Sequence, residues 1–282
     1  MPQVTLSPGE QKVLWRAVRT LERESLVARL SEFSGEPITK VLRRLPKPLS
    51  AGMQRVVHGA LWRALDLALN RVEFGPLEPG PVGFQIISGI TGGISGFLGM
   101  ATLAVELPVS TTLMLRSIAG IARKQGEDLS QTGARLACLE VFALGPRTRA
   151  SSNFPAGAEA TYYATRAFLA KAVSEAAQIF AERGLAQQSS PVIVQLITSI
   201  GSRFGLVVSE KVAATAIPVV GAIAGAAVNL AFMEHFQKLA QAHFAIRRLE
   251  RRHGPKEVRR IYEAYARILE RRAAQPINRS RR

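Results

Sequence analysis

The chain is expected to be all-α. It reads as a single globular helical domain of about ten helices with a Gly/Ala-rich central helical hairpin. Three observations carry this reading. Apolar residues recur at helical spacing, as in Val13, Leu14, Ala17, Val18 and Leu21. Helix punctuation is frequent, with a Ser-Pro-Gly-Glu start at residues 7–10 and Gly-Pro stops at Gly75-Pro76, Gly145-Pro146 and Gly254-Pro255. No segment alternates with a period of two over strand length, and the Pro-Val-Ile-Val and Leu-Val-Val runs are too short to force strands.

Taken in order, Ser7 caps the first helix, Pro8 fits its first turn and Glu10 completes a capping box. This helix is expected to run to about Phe33. Pro37, Pro46 and Pro48 punctuate a basic connector, and a second amphipathic helix buries Val56, Val57, Ala60, Leu61, Ala64, Leu65 and Ala68. Residues 79 to 105 carry no charge. Gly89, Gly92, Gly93 and Gly96 fall there at spacings of three and four, with Gly99 beyond them, and so share a helical face. Each costs a helix about 1 kcal/mol against Ala, so close packing against another helix must compensate. The matching face is Gly221, Gly225 and Asn229, in the stretch IPVVGAIAGAAVNLAFMEHF. Glu106-Leu107-Pro108 is expected to open the next helix, with Ser110, Thr111 and Thr112 as capping hydroxyls. Further helices are expected over 130–144, 158–183, 191–208, 236–253 and 256–273. The helical domain takes residues 1–270, and 271–282 form a basic tail.

The formal charge is +16, and it is uneven. From Arg247 to Arg282 there are thirteen Lys or Arg against four Glu, a net of +9. Such a concentration suits an anionic lipid surface or an acidic partner, with Arg247, Arg248, Arg251, Arg252, Arg259 and Arg260 as the contacts. Nucleic acid is the competing partner, disfavoured because few aromatic residues accompany the basic ones. The one cysteine, Cys138, excludes an intramolecular disulfide and a Cys-based metal site, and its setting in LACLEVFAL reads as a small buried hydrophobe. The N-terminus lacks the pattern of a signal peptide, which makes the cytosol the expected compartment, at the inner face of the cell membrane.

Candidate polar residues are Glu106, Arg116, Glu140, Arg203, Glu234, His235 and His243. Glu106 follows the long uncharged run, where a carboxylate is either paired or functional; Arg116 and Arg203 are its candidate partners. His235 and His243 lie eight apart, two helical turns, and do not form H-E-x-x-H. A hydrolase or metal-dependent enzyme would have to gather Glu106, Glu140, His235 and His243 into one pocket. No G-x-G-x-x-G between strand and helix, no phosphate-binding loop and no G-x-S-x-G elbow occurs. No cofactor and no catalytic residue is assigned, and the non-enzymatic reading is favoured.

Residues 82–105 and 212–233 are long enough to span a bilayer. Their Gly and Ala content makes them weakly hydrophobic, so a buried hairpin is the alternative. The amphipathic N-terminal helices carry Trp15 and Trp62, which suit a lipid interface.

Several ordered blocks carry a family likeness. ELPVSTTLMLRSIAGIARKQGEDL, RLACLEVFALG, YYATRAF and the run from RFGLVVSEKVAATAIPVVGAIAGAAVNL to HFQKLAQAHFAIRRLERRHG resemble the EcsC protein family. The likeness extends over residues 10 to 268. It implies a mainly bacterial, helical, membrane-associated protein, since the family is named for a member associated with an ABC-transporter gene cluster. It implies no catalytic residues. The expected function is therefore contact with lipid or with a membrane-protein partner of transport or secretion machinery.

Overall fold

A computed structural model describes residues 6–26, 28, 30–31, 47–69, 95–146, 161–183, 190–215 and 222–274. Among them there is no strand, and the fold is all-α. Eight α-helices are described: α1 (Pro8–Arg23), α2 (Lys47–Leu69), α3 (Ser95–Lys124), α4 (Thr132–Glu140), α5 (Thr161–Arg183), α6 (Pro191–Thr215), α7 (Ala222–His253) and α8 (Pro255–Ala274). A short 3-10 turn, Val141–Ala143, extends α4.

The capping box is formed as expected. The Ser7 hydroxyl accepts from the Glu10 N–H, and the Glu10 carboxylate accepts from the Ser7 N–H. The first helix is shorter than expected, however. Glu24 turns extended, and Ser25 starts a new helical segment by accepting from the Ala28 N–H at 3.2 Å. A serine that can cap wins over an apolar pattern that continues unbroken. Gly126 and Gly254 take positive φ just after α3 and α7, where an L side chain would be strained.

Two long helices run through points where the sequence suggests boundaries. α3 does not begin at Glu106; it begins by Ser95 and carries Pro108 in its interior. The proline removes one donor, and the carbonyl left over belongs to Ala104, which is exposed to water. Ser110 and Thr112 therefore do not cap. Their hydroxyls donate back to the Leu107 and Pro108 carbonyls at 3.1 and 2.9 Å. Likewise α7 is continuous from Ala222 to His253, joining the apolar stretch to the basic region in one helix of about 48 Å.

α7 is the hub. It packs against α1, α3, α6 and α8, while α2 packs against α3, α4 and α6 on the other side. Phe142, Phe204, Phe232 and Phe236 pack ring to ring between the 3-10 turn, α6 and α7. The half-buried Trp15 ring meets Tyr265 of α8 edge-on at 5.2 Å, under the Arg272 guanidinium. Trp62 packs half-buried against the core.

Of the proposed packing face, Gly89, Gly92, Gly93 and Gly221 lie outside the described residues. Gly96 and Gly225 lie within α3 and α7, and Asn229 is half-buried on α7. The close helix approach that is visible lies elsewhere. Gly201 and Gly205 of α6, in G-S-R-F-G, face His58 and Gln54 of α2 so closely that an added Cβ would stand 3.0 Å from each side chain.

The described parts of the two weakly apolar stretches are covered on one side. Leu103, Ala213, Val228, Ala231 and Phe232 are buried, while Val105 is 71% and Leu230 52% exposed. Among the described residues one helical segment, Pro191–Ala214, is long and apolar enough to cross a membrane, and half of it is buried in the bundle. It is neither of the two stretches singled out by charge.

Replacing Gly201 with Leu is expected to destabilise the fold by about 1–3 kcal/mol, because the neighbouring Leu61 leaves little room for the added atoms. Gly59→Ala, where nothing lies within 4 Å of the new Cβ, is expected to stabilise by about 0.5–1 kcal/mol. Thermal or urea denaturation of the two variants reads both signs.

Candidate functional site

The largest concentration of buried polar chemistry lies where α5 and α8 meet α7. Tyr162 and Tyr163 begin α5, and Arg166 follows one turn later, so all three approach α7 from the same helix end. Tyr163 donates to Glu250 at 2.9 Å, and Arg166 donates to both Glu250 oxygens at 2.8 and 3.1 Å. Arg166 also donates to the Tyr162 hydroxyl at 3.3 Å. That hydroxyl lies 3.0 Å from His243 Nδ1. The Tyr162 oxygen accepts from Arg166 and shares a hydrogen bond with Nδ1, while His243 Nε2 is buried without a partner among the described residues. Burial holds the His243 pKa well below its usual value, with Arg166 and Arg247 adding to the effect, so the ring is neutral. Tyr262 of α8 stacks on Tyr162 at 5.3 Å and donates to Glu22 of α1 at 2.7 Å. Glu22 also accepts from the Tyr162 N–H at 3.1 Å and so fastens three helices.

A second set of contacts fixes the turn between α3 and α4. Glu127 is 4% exposed and accepts from Arg247 Nε and Nη2, both at 2.9 Å, and from Arg251. Burial works against its charge, yet the hydrogen bonds from Arg247 and then Arg251 hold the Glu127 carboxyl below the usual carboxylate range. Arg252 and His253 reach Glu10 of α1 at 3.6 and 2.9 Å. Arg259 pairs with Glu263 and Arg260 with Glu257 within α8. Five of the six arginines expected to contact lipid are therefore ion-paired within the chain. Arg248 lines a groove described below.

Of the residues that an enzyme reading would gather, Glu140 and His243 both lie beside the tyrosine–arginine network, while Glu106 and His235 have other surroundings. Glu106 pairs with Lys211 of α6, not with Arg116 or Arg203. Lys211 is 3% exposed; burial lowers its pKa, Glu106 opposes that, and its ammonium sits over the Phe232 ring at 4.9 Å. Arg116 is half-buried on α3 with its Nε unpartnered. Arg203 donates to Thr165 Oγ1 at 3.1 Å and to the Gly145 carbonyl at 3.0 Å, tying α5 and the 3-10 turn to α6. Glu234 is half-buried on α7. His235 borders a small cavity of about 30 Å³ with Arg203 and Glu210, away from His243. Among the described residues no three His, Cys, Asp or Glu side chains gather to hold a metal. Cys138 is fully buried, as its apolar surroundings suggest, and burial pushes its thiol pKa up.

Sequence reasoning missed Glu210. It is buried, and burial alone pushes its carboxyl up to about 8. The signal was available, since Arg203, Glu210 and Lys211 interrupt an otherwise apolar run beginning at Pro191. Two cavities also emerge that no linear pattern announces. One, of about 620 Å³, opens beside the tyrosine–arginine network and includes Glu140. The other, of about 640 Å³, is a groove between α1, α3 and α7 lined by Arg16, Arg19, Lys124, Lys238 and Arg248. Glu24 is the one carboxylate lining it, and Arg19 approaches that carboxylate to 3.6 Å.

Such an arrangement defines a class: a helical bundle whose central helix is held by buried Tyr–Arg–Glu contacts. The model of the EcsC protein family matches residues 84–249, more than half of the chain, and the protein belongs to that family. The match takes in α3 to α6 and most of α7, and leaves α1, α2 and α8 outside it. No curated protein and no solved structure matches the chain.

Glu210 has a folded pKa above its value of 4.5 in the open chain, so the native state binds the extra proton. Its effect on stability is absent at pH 4 and grows unfavourable as pH rises from about 4.5 towards 8, by about 1.4 kcal/mol for each pH unit. Glu210→Gln is therefore expected to melt with the wild type at pH 4 and above it at pH 7, as read by circular dichroism.

Proposed function

We propose that the protein is a non-enzymatic, membrane-surface helical protein, and that the groove between α1, α3 and α7 is the face it turns to anionic lipid. The supporting observation is the charge of that groove, five cations against one carboxylate already paired with Arg19. Arg16, Lys124 and Lys238 are exposed, and the floor is apolar through Ala17, Ile121, Ala242 and Ala245. A basic side chain near an anionic membrane contributes about 1 kcal/mol, so the four other than the paired Arg19 give about 4 kcal/mol, enough for reversible rather than permanent attachment. Arg247, Arg251, Arg259 and Arg260 are poorer candidates because carboxylates of the same chain already pair with them. A role beside transport or secretion machinery is part of the same proposal.

Vesicle sedimentation tests the reading. Binding is expected to phosphatidylglycerol vesicles and not to phosphatidylcholine vesicles, and to fall steeply with salt. Charge reversal of Arg16, Lys124 and Lys238 together is expected to abolish it, while reversal of Arg259 and Arg260 leaves most of it. Indifference to lipid charge and to salt rejects the proposal. Tighter salt-dependent binding to duplex DNA than to vesicles replaces it with the nucleic-acid reading.

A further inference from the structure

The cavity beside the tyrosine–arginine network has two unlike ends. At one, Arg166 and Arg247 stand beside Lys256 and Arg259 at the start of α8. At the other, α5 offers Ala167, Ala170, Val173 and Ala177, one helical face with nothing larger than valine. Ala167 and Ala170 are exposed, so this apolar strip is not part of the core. The volume of about 620 Å³ falls in the range of small-molecule sites, which pair an apolar lining with a few convergent polar groups.

Glu140 adds an independent observation. It ends α4 only 6% exposed and lines this cavity, yet no hydrogen bond or ion pair satisfies its carboxyl group among the described residues. The two guanidiniums nearest in effect are committed elsewhere, Arg166 to Glu250 and Arg247 to Glu127. Burial pushes the Glu140 pKa up in spite of them, which favours the neutral carboxyl, a form able to donate to an acidic group in the cavity.

Charge balance narrows the occupant. Glu250, Glu127 and Glu263 answer Arg166, Arg247 and Arg259 in turn. Lys256 is exposed and has no partner among the described residues, which leaves the polar end with one uncompensated positive charge. We propose that this cavity binds a small amphiphile with one acidic head group, a carboxylate or a phosphate, placed between Glu140 and Lys256, with its hydrocarbon along the alanine face of α5. The site is distinct from the basic groove of α1, α3 and α7, and it is tested without vesicles.

Calorimetric titration of the full chain with decanoate and decyl phosphate below their micelle thresholds, and with decanol below its solubility limit, decides the matter. One of the two acids is expected to saturate a single site, and which one does so identifies the head group. Decanol is expected to bind at least about tenfold more weakly, a difference of about 1.4 kcal/mol. Ala170→Trp fills the apolar end from an exposed position, and Lys256→Glu opposes the head group from another. Each is expected to weaken binding by about tenfold or more with an unchanged melting temperature. The proposal is overturned if neither acid saturates, if decanol binds as tightly as the acids, or if the folded variants bind as the unaltered chain does.

Discussion

A charged side chain inside a helical bundle must find its counterion there, and α7 imposes that requirement on all its neighbours. Its face from Val228 to Leu249 is almost wholly buried, and Arg247 and Glu250 come out of that face only partly exposed. Leaving either unpaired would cost several kcal/mol. The partners come from different places along the chain: Glu127 from the turn after α3, and Arg166 with Tyr163 from α5. Each pairing is satisfied only when its helix sits at one height and one rotation against α7. The polar contacts therefore set the register of the bundle, while the phenylalanine cluster supplies its cohesion.

This explains what was legible in the sequence. Local signals were read well because the chemistry was local. Ser7 and Glu10 lie three apart and cap each other, and Gly126 and Gly254 stop helices by their own backbone freedom. Pro108 misled because a proline fits the first turn of a helix as well as a water-facing position in the middle of one, and only the exposure of Ala104 separates the two cases. Ser25 misled for the opposite reason, since its cap interrupts a face that stays apolar through Leu26 and Leu30.

The candidate site was legible only in its ingredients. Glu140, His243 and Arg247 stood out in the sequence, but nothing in it placed Tyr162 against His243 or Arg166 against Glu250, which lie 81 and 84 residues apart. Glu106 was recognised as needing a partner; the partner, Lys211, lies 105 residues away with no periodicity to reveal it. The basic segment from Arg247 onwards was the poorest guide. Its charge is real in composition, yet much of it is spent on carboxylates of the same chain. A second concentration of charge lies where α1, α3 and α7 bring five cations to one groove.

Cys138 gives the bundle a reporter of its own. It is the one thiol in the chain, it has no exposed surface, and it lies on α4, whose flank is sealed by α2 and α5. A thiol there cannot meet an alkylating reagent while α4 stays docked, because reaction requires both access and the thiolate. The rate at which it becomes labelled is thus a clock for the opening of the centre of the molecule, started by nothing but the protein's own fluctuations and readable in the unaltered chain.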